Sequence, residues 1–229
     1  MLKINKLNHC YGKQLIIDQL SIETSTSGLH VFAGTNGSGK STLFRLIAGF
    51  EIPSNGTIEI NNIHYAENYR NQLGISLEPF KTEPNLTVSQ ILTMAQLEKS
   101  VNSKTIDHWL QFWELNEAIN KRFKELSVGM IKRLSLIISL IGNPQILIWD
   151  EPFNGLDPLG IEKLHDLIEL EVHAGKLILL STHLLNELSN SIEQAYIMDS
   201  GRIKKILRKD ELNNNKDKST ILKYLQAQA

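Results

Sequence analysis

Cysteine is almost missing from this 229-residue sequence: Cys10 is the only one, so an internal disulfide is impossible. A single thiol also offers no cysteine cluster for a metal, and this usage is typical of a reducing cytosol. The chain has no excess of charge of either sign, because 24 Lys and Arg residues stand against 25 Asp and Glu residues. The net basic charge of most nucleic-acid-binding proteins is absent, so no nucleic-acid partner is expected.

Long hydrophobic runs are also missing. The most apolar stretch, residues 134–149, is interrupted by serines and by Asn143-Pro144-Gln145, whereas a membrane-spanning helix needs about 20 mainly apolar residues. Residues 1–6 do not lead into the apolar segment of a signal peptide. Hydrophobic residues still make up 41% of the chain, which excludes a disordered protein. We expect a soluble, cytoplasmic chain, for which any role at a membrane must come through a partner.

The spacing of apolar residues predicts an α/β protein with a mostly parallel sheet. Apolar positions in 2–7 and 16–22, with a turn at 11–13, predict an N-terminal antiparallel β-subdomain. Two nearly continuous apolar runs, 146–149 and 176–180, are typical of buried parallel strands. A helical spacing between these two runs completes the alternation of strand and helix that such a core requires.

A helical segment is inserted into this core. Between about residues 85 and 141, apolar residues recur at steps of three and four, as in Val88, Ile91 and Leu92. The sequence therefore predicts a single domain, residues 1–229, in three parts. These parts are an α/β core with the β-subdomain over 1–80 and 144–207, a helical subdomain over 81–143, and a short tail over 208–229 with a polar linker at 213–218.

Residues 34–41, Gly-Thr-Asn-Gly-Ser-Gly-Lys-Ser, match the phosphate-binding pattern G-x-x-x-x-G-K-[ST] in full, between a predicted strand and a predicted helix. The glycines allow successive backbone N–H groups to turn toward a phosphate, and the helix N-terminus adds a partial positive charge. Lys40 can reach the β- and γ-phosphates, and the Ser41 hydroxyl can bind Mg²⁺. The residues predicted to contact the nucleotide here are Gly34, Thr35, Asn36, Gly37, Ser38, Gly39, Lys40, Ser41 and Thr42.

A pair of carboxylates follows a predicted strand. Asp150 and Glu151 come directly after the apolar run 146–149. A carboxylate at the carboxyl end of a strand beside a phosphate loop is the expected ligand of Mg²⁺, so Asp150 is predicted to bind the ion. The adjacent Glu151 is predicted to activate a water molecule for in-line attack. ATP and Mg²⁺ are therefore the expected ligands of this chain.

Further motifs narrow the class of nucleotide-binding protein. The segment Leu126–Met130, Leu-Ser-Val-Gly-Met, precedes a predicted helix and resembles the signature motif of ATP-binding cassette (ABC) proteins. The other landmarks of that family follow in order: the aromatic Tyr11, Glu78 at a position usually held by glutamine, the loop Asn154–Asp157, and His183. The resemblance covers about residues 1–207, and the set as a whole is specific to that family.

The resemblance implies a P-loop NTPase core of the ABC type. It also implies that two ATP molecules are enclosed between this chain and a second copy or a homologous ATPase subunit. In that dimer, Ser127 and Gly129 would face the γ-phosphate bound by the other chain, and Asp157 would bridge the two sites. Tyr11 would stack on adenine. The motifs and the resemblance together imply the catalytic set Lys40, Glu151 and His183.

The sequence departs from the family pattern at three positions. Val128 replaces a glycine of the signature and Met130 replaces the common glutamine, but Gly-Met forms are familiar among export-type cassettes. Glu78 replaces a glutamine and is predicted as a Mg²⁺ ligand with Ser41 and Asp150. Its added negative charge near the ion and the γ-phosphate is expected to weaken or retune nucleotide binding.

The function implied is the ATP-binding and ATP-hydrolysing subunit of an ABC transporter that drives a separate integral membrane subunit. Export is favoured over import because the sequence after the core is too short for the regulatory domain found on many import cassettes. The alternative is a non-transport ABC-type ATPase acting on ribosomes or DNA. Such relatives usually carry two cassettes or a long coiled-coil insertion, and this sequence has neither. A small-molecule phosphotransferase would leave the signature motif without a role.

Overall fold

The computed structural model describes residues 1–61, 63–64, 72–99, 104–183 and 191–212, and the predicted tail linker at 213–218 lies outside these ranges. Within them the chain forms ten strands in two sheets. In chain order the strands are β1 (Leu2–Tyr11), β2 (Gln14–Glu23), β3 (Gly28–Ala33), β4 (Asn55–Ile60), β5 (Ile63–His64), β6 (Leu73–Ser76), β7 (Ile146–Asp150), β8 (Leu177–Thr182), β9 (Ile192–Asp199) and β10 (Arg202–Arg208).

The two sheets differ in the direction of their strands. The four-stranded sheet is antiparallel, with the order β2-β1-β4-β5, and it forms the predicted N-terminal β-subdomain. The six-stranded sheet has the order β10-β9-β3-β8-β7-β6, and every neighbouring pair except β10–β9 is parallel. The prediction of a mostly parallel sheet with an antiparallel β-subdomain is therefore confirmed.

Helices occupy the segments between the strands. They are α1 (Lys40–Ile47), α2 (Val88–Lys99), α3 (Lys104–Phe112), α4 (Val128–Leu140), α5 (Pro158–His173) and α6 (Lys209–Leu212), with 3-10 turns at Asn116–Ala118 and Phe123–Glu125. Helices α2, α3 and α4 lie in the segment that the three- and four-residue spacing predicted as helical. None of the helices in the described ranges combines the length and the hydropathy that crossing a bilayer requires.

The six-stranded sheet buries apolar residues on both of its faces. On β7, Leu147 and Trp149 face a core shared with α2 to α5, and Ile146 and Ile148 face a core shared with α1 and the smaller sheet. Successive side chains of a strand point to opposite faces, so a strand that is buried on both faces must be apolar at nearly every position. This requirement explains the continuous apolar runs of β7 and β8.

Parallel pairing brings three strand ends to one edge of the sheet. Ala33 at the end of β3 pairs with Thr182, and Asp150 at the end of β7 pairs with Ser181. The residues that follow these strands therefore start from neighbouring points, although they are far apart in sequence. Ligand sites of open parallel sheets are built at this carboxyl edge.

His30, on the strand that leads into this edge, is fully buried. Its Nε2 lies 2.8 Å from the Ser25 hydroxyl and its Nδ1 lies 3.3 Å from the Tyr196 hydroxyl. Burial lowers the pKa of His30 to about 4, from an ordinary value of 6.5. In the unfolded chain His30 therefore binds a proton near pH 6.5, whereas in the folded chain it binds one only near pH 4. Stability is lost as the pH falls from about 6.5 toward about 4.

We predict that His30→Phe removes most of this acid sensitivity. The phenyl ring can keep the stacking on Tyr196 but has no site to protonate. Between pH 7 and pH 5 the wild-type free energy of unfolding should fall by about 2 kcal/mol more than that of the variant. Urea unfolding at both pH values measures this difference, with the exposed His173→Gln as the matched control. Equal pH dependence in wild type and His30→Phe would refute the prediction.

Candidate active site

The phosphate loop lies between β3 and α1, with Gly34 directly after the strand and Lys40 at the start of the helix. Gly37 and Gly39 have φ values of +82° and +101°, a conformation that glycine adopts without strain. A Cβ on Gly34 would lie 2.4 Å from the carbonyl oxygen of Met198, which is too close for any residue with a side chain to fit. The glycines of the motif are therefore required by the backbone path of the loop.

The loop is tied to the structure around it by backbone hydrogen bonds. The Ser38 N–H donates to the Thr35 carbonyl at 3.1 Å, and the Gly201 N–H donates to the Ser38 carbonyl at 3.0 Å. Asn36 is exposed at the tip, whereas Thr42 is buried within α1. In the described part of the chain, the buried Ser38 hydroxyl has no hydrogen-bond partner. A phosphate oxygen is a suitable acceptor for such a donor.

Lys40 is enclosed by its own loop, with a relative exposure of 5%. Its Nζ donates to the carbonyl oxygens of Gly34 at 2.7 Å and Thr35 at 3.2 Å. The same Nζ lies 3.5 Å from Oε1 of Glu151. The buried ammonium is therefore stabilised by two carbonyl groups and one carboxylate, and it lies beside the predicted general base.

Asp150 and Glu151 share one hydroxyl partner, Ser181 of β8. The Ser181 Oγ donates to Oδ1 of Asp150 at 2.5 Å, and it accepts from the backbone N–H of Glu151 at 2.9 Å. Ser181 was not among the predicted site residues. Its sequence signal was a hydroxyl in an otherwise apolar strand, directly before Thr182 and His183.

Glu151 has a backbone conformation that is uncommon for a residue with a side chain, at φ +46°. Its carboxylate is 13% exposed and is held on both oxygens, by Lys40 at Oε1 and by the ring Nδ1 of His183, 2.9 Å from Oε2. His183 itself is 40% exposed. The structure thus brings Lys40 and His183, which lie far apart in sequence, into contact with the carboxylate of Glu151.

The oxygen atoms near the loop fit a magnesium ion. Ser41 lies on the first turn of α1, and Asp150 ends the neighbouring strand β7. Among the described residues, Oδ2 of Asp150 is buried without a hydrogen-bond partner. Mg²⁺ prefers oxygen ligands and is commonly held by one or two carboxylates together with phosphate oxygens and water. An unpaired buried carboxylate oxygen beside a phosphate loop meets that requirement.

The carboxylate of Glu78 has different partners from those expected of a free Mg²⁺ ligand. The Nζ of Lys132 lies 3.2 Å from Oε2 of Glu78, and the Nδ2 of Asn154 donates to the same oxygen at 3.4 Å. The expected repulsion between Glu78 and the nucleotide assumed an unpaired charge, and Lys132 supplies the opposite charge. Sequence reasoning missed Lys132. Its signal was a stripe of polar side chains on helix α4, formed by Lys132, Ser135 and Ser139.

The signature motif lies at the N-terminus of α4. The Ser127 hydroxyl caps this helix by accepting from the Met130 N–H at 3.2 Å, and Val128 is 70% exposed. A Cβ on Gly129 would lie 2.8 Å from the carbonyl oxygen of Gly155, so only glycine permits this approach. The motif therefore packs on the 154–157 loop of its own chain and exposes Ser127 and Val128.

Two other predicted nucleotide contacts are held by bonds within the chain. Asp157 caps α5 by accepting from the Gly160 N–H at 2.9 Å, and it accepts from Nη2 of Arg133 at 2.7 Å. The hydrogen bond from Arg133 lowers the pKa of this carboxyl group. The Tyr11 hydroxyl donates to Glu51, with oxygen distances of 2.6 and 2.8 Å, and the ring is 44% exposed. Roles for Asp157 and Tyr11 toward a partner or a nucleotide stay predictions.

A glycine-rich loop between a parallel strand and a helix, a lysine buried in that loop and a carboxylate pair on the adjacent strand end define a P-loop nucleoside triphosphatase. A family model described as ABC transporter matches residues 17–154. The chain therefore belongs to the ABC transporter family, and it is an ATP-binding, ATP-hydrolysing subunit of that family.

Individual relatives agree with this assignment. The chain is 31% identical to a lantibiotic transport ATP-binding protein of Streptococcus pyogenes over 92% of this chain and 91% of the relative. It is 30% identical to a bacitracin transport ATP-binding protein of Bacillus licheniformis over 100% of this chain and 74% of the relative. A solved structure of the ATP-binding subunit of an ABC transporter has a TM-score of 0.86 and 25% identity, covering 100% of this chain and 98% of that chain. The resemblance drawn from the sequence motifs is confirmed.

We predict that Glu151→Gln abolishes hydrolysis while ATP binding persists. The amide keeps the shape of the side chain but cannot accept a proton, so kcat should fall by at least about 100-fold. Release of phosphate and isothermal titration with ATP measure the two quantities separately. Glu162→Gln, the same change at an exposed position of α5, is the matched control and should hydrolyse ATP normally. Hydrolysis at the wild-type rate by Glu151→Gln would show that another group is the base.

Proposed function

We propose that this chain powers an exporter whose membrane-spanning part is a separate polypeptide, and that it works as a dimer enclosing two ATP molecules. The observation that most supports the proposed dimer is the exposure of Ser127 and Val128 at the N-terminus of α4. A helix N-terminus that is open to solvent and carries backbone N–H groups is a site for an anion. A second chain, or a homologous ATPase subunit, brings its bound γ-phosphate to that site.

The chemistry begins with a change of partner for Lys40. In the structure its ammonium group is held by Gly34, Thr35 and Glu151. A triphosphate in the loop offers stronger charge-assisted hydrogen bonds, so Lys40 turns to the β- and γ-phosphates. This exchange frees Oε1 of Glu151 to accept the proton of an attacking water molecule. His183 holds the other carboxylate oxygen and orients the base.

The remaining groups position the nucleotide. Ser41 and Asp150 hold Mg²⁺, and Glu78 is left out of this set because Lys132 and Asn154 engage its carboxylate. When bound, Mg²⁺ neutralises charge on the β- and γ-phosphates. Tyr11 stacks on adenine, and Glu51 fixes the Tyr11 hydroxyl. In the dimer Gly129 adds its backbone N–H to the γ-phosphate site, and Asp157 bridges the two sites.

We place the contact with the membrane subunit in an open groove of about 530 Å³. Three features support this placement: large apolar side chains, charges of both signs, and continuity with Glu78 beside the hydrolysis site. Phe50 is 59% exposed at its edge. The residues that line the groove include Arg45, Phe50, Leu77, Glu78, Phe80 and Lys81. Docking here holds the chain at the membrane surface.

Export is supported by the names of the relatives. Proteins similar to this chain are named for lantibiotic transport, for bacitracin transport and, in Rhizobium etli, for Nod factor export. The last is 31% identical over 84% of this chain and 63% of the relative. The Gly-Met form of the signature, at Gly129 and Met130, agrees with an export-type cassette.

The dimer predicts complementation between two inactive variants. Lys40→Ala removes the phosphate-binding ammonium group from the loop. Ser127→Arg places a bulky charged side chain at the N-terminus of α4, where the signature motif lies. Each variant alone should be inactive, because every composite site then contains one damaged half. A mixture contains heterodimers with one site that is intact on both sides, so ATPase activity should return to about one quarter of the wild-type value. Absence of recovery, with heterodimers demonstrated by cross-linking, would refute the shared site.

The docking groove predicts a specific loss of membrane association. Phe50→Asp places a charge in the apolar part of the groove. In cells that express the complete transporter, this variant should no longer sediment with membranes, while it still binds ATP. Leu170→Asp on α5 is the matched control, because Leu170 is also 59% exposed but lies outside the groove. Equal sedimentation of both variants and wild type would place the membrane contact elsewhere.

A further inference from the structure

Three segments of the chain meet at one buried lysine. Lys132 lies on α4, and its side chain is 8% exposed. Its Nζ donates to Oε2 of Glu78 at 3.2 Å and to the backbone carbonyl oxygen of Glu151 at 2.9 Å. Glu78 follows β6 and Glu151 follows β7. One ammonium group therefore joins the helix of the signature motif to two loops at the carboxyl edge of the sheet.

The lysine and the glutamate form a matched pair. A buried ammonium group is costly unless an opposite charge or several acceptors surround it. Glu78 supplies that charge, and Asn154 donates to the same carboxylate oxygen at 3.4 Å. Replacing Glu78 by a neutral residue would leave the ammonium group of Lys132 buried beside the Glu151 carbonyl oxygen with no opposite charge. The positive charge of Lys132 and the negative charge of Glu78 therefore stabilise each other.

Lys132 also completes the set of bonds that hold the backbone of Glu151. The N–H group of Glu151 donates to Ser181, and its carbonyl oxygen accepts from Lys132. The φ of Glu151 is +46°, and a non-glycine residue keeps such a conformation only where the surrounding structure enforces it. The Asn154 N–H also donates to this carbonyl, at 3.2 Å. Ser181 on one side, and Lys132 with Asn154 on the other, hold the two peptide units that flank the Cα of Glu151.

We propose that Lys132 is a positioning residue for ATP hydrolysis, acting through Glu151 and Glu78. It fixes the backbone of Glu151, so that the carboxylate points toward the phosphate loop. It also links Glu78, which lines the groove, to the carbonyl group of Glu151. A displacement of Glu78 is thereby transmitted to Glu151 through the ammonium group of Lys132, in parallel with Asn154, which also contacts both residues. This inference rests on the proposed role of Glu151 as the general base.

The test begins with Lys132→Met, which keeps the length of the side chain and removes its charge and its donors. Because small misplacement of a base is costly, kcat should fall by at least about tenfold. The Kd for ATP should change by less than about threefold, since Lys40 and the loop are untouched. Lys132→Arg keeps both charge and donors, and it should retain most of the activity. A kcat for Lys132→Met within about twofold of wild type would overturn the proposal.

A double-mutant cycle tests the link to Glu78. If Lys132 and Glu78 act through one contact, Lys132→Met/Glu78→Gln should have a kcat no lower than that of Lys132→Met alone. If the two substitutions acted independently, their fold losses in kcat would multiply, and that result would overturn the proposed pairing of Lys132 with Glu78. The same cycle is measured without nucleotide, by urea unfolding of the three variants. There, too, the losses of Lys132→Met and Glu78→Gln should not add.

The control is a second buried ion pair, between Lys176 and Glu171. Lys176 precedes β8 at the edge of the sheet opposite to the hydrolysis site. Lys176→Met should lower stability but leave kcat per folded molecule unchanged. An equal loss of kcat in Lys176→Met and Lys132→Met would show that Lys132 only stabilises the fold, and it would overturn the proposed positioning role. Hydrolysis by Glu151→Gln at the wild-type rate would contradict the proposed base instead, whatever the behaviour of Lys132.

Discussion

The parallel pairing of β3, β8 and β7 is the constraint on which the rest of the structure depends. It aligns Ala33 with Thr182 and Asp150 with Ser181 at one edge of the sheet. The phosphate loop, the carboxylate pair and His183 then leave this edge side by side. Burial of the strands on both faces stabilises the alignment, because a shift in register would break both apolar cores at once. The position of the active site is thus a consequence of core packing.

Buried charge is the second organising feature. Lys40, Asp150 and Lys132 are each less than 10% exposed, and each has at least one polar partner from another segment. An unpaired buried charge would cost several kcal/mol, so these contacts fix the positions of the loops that supply the partners. The contacts converge on Glu151, which is held at its N–H, its carbonyl and both carboxylate oxygens. A residue with a left-handed backbone is thereby kept in one orientation.

The fold followed from the sequence where apolar spacing reports directly on burial. Continuous apolar runs predicted β7 and β8, and steps of three and four predicted α2 and α3. Strand β9 (Ile192–Asp199) was not predicted, because its polar residues interrupt any regular alternation. The order β10-β9-β3-β8-β7-β6 could not be predicted either. Neighbours in a sheet are selected by packing of the whole chain, and spacing within one strand carries no information about its partners.

The sequence by itself determined the phosphate loop, the carboxylate pair and the family, because each of these motifs is contiguous and a phosphate is bound by successive backbone N–H groups. Only the tertiary structure decided which groups hold those motifs in place. Lys132 and Glu78 are 54 positions apart, and Ser181 and Asp150 are 31 apart. The charge of Glu78 is therefore neutralised by a residue that its local sequence does not reveal. The partner of a buried charge is whichever group the folded chain brings within hydrogen-bonding distance.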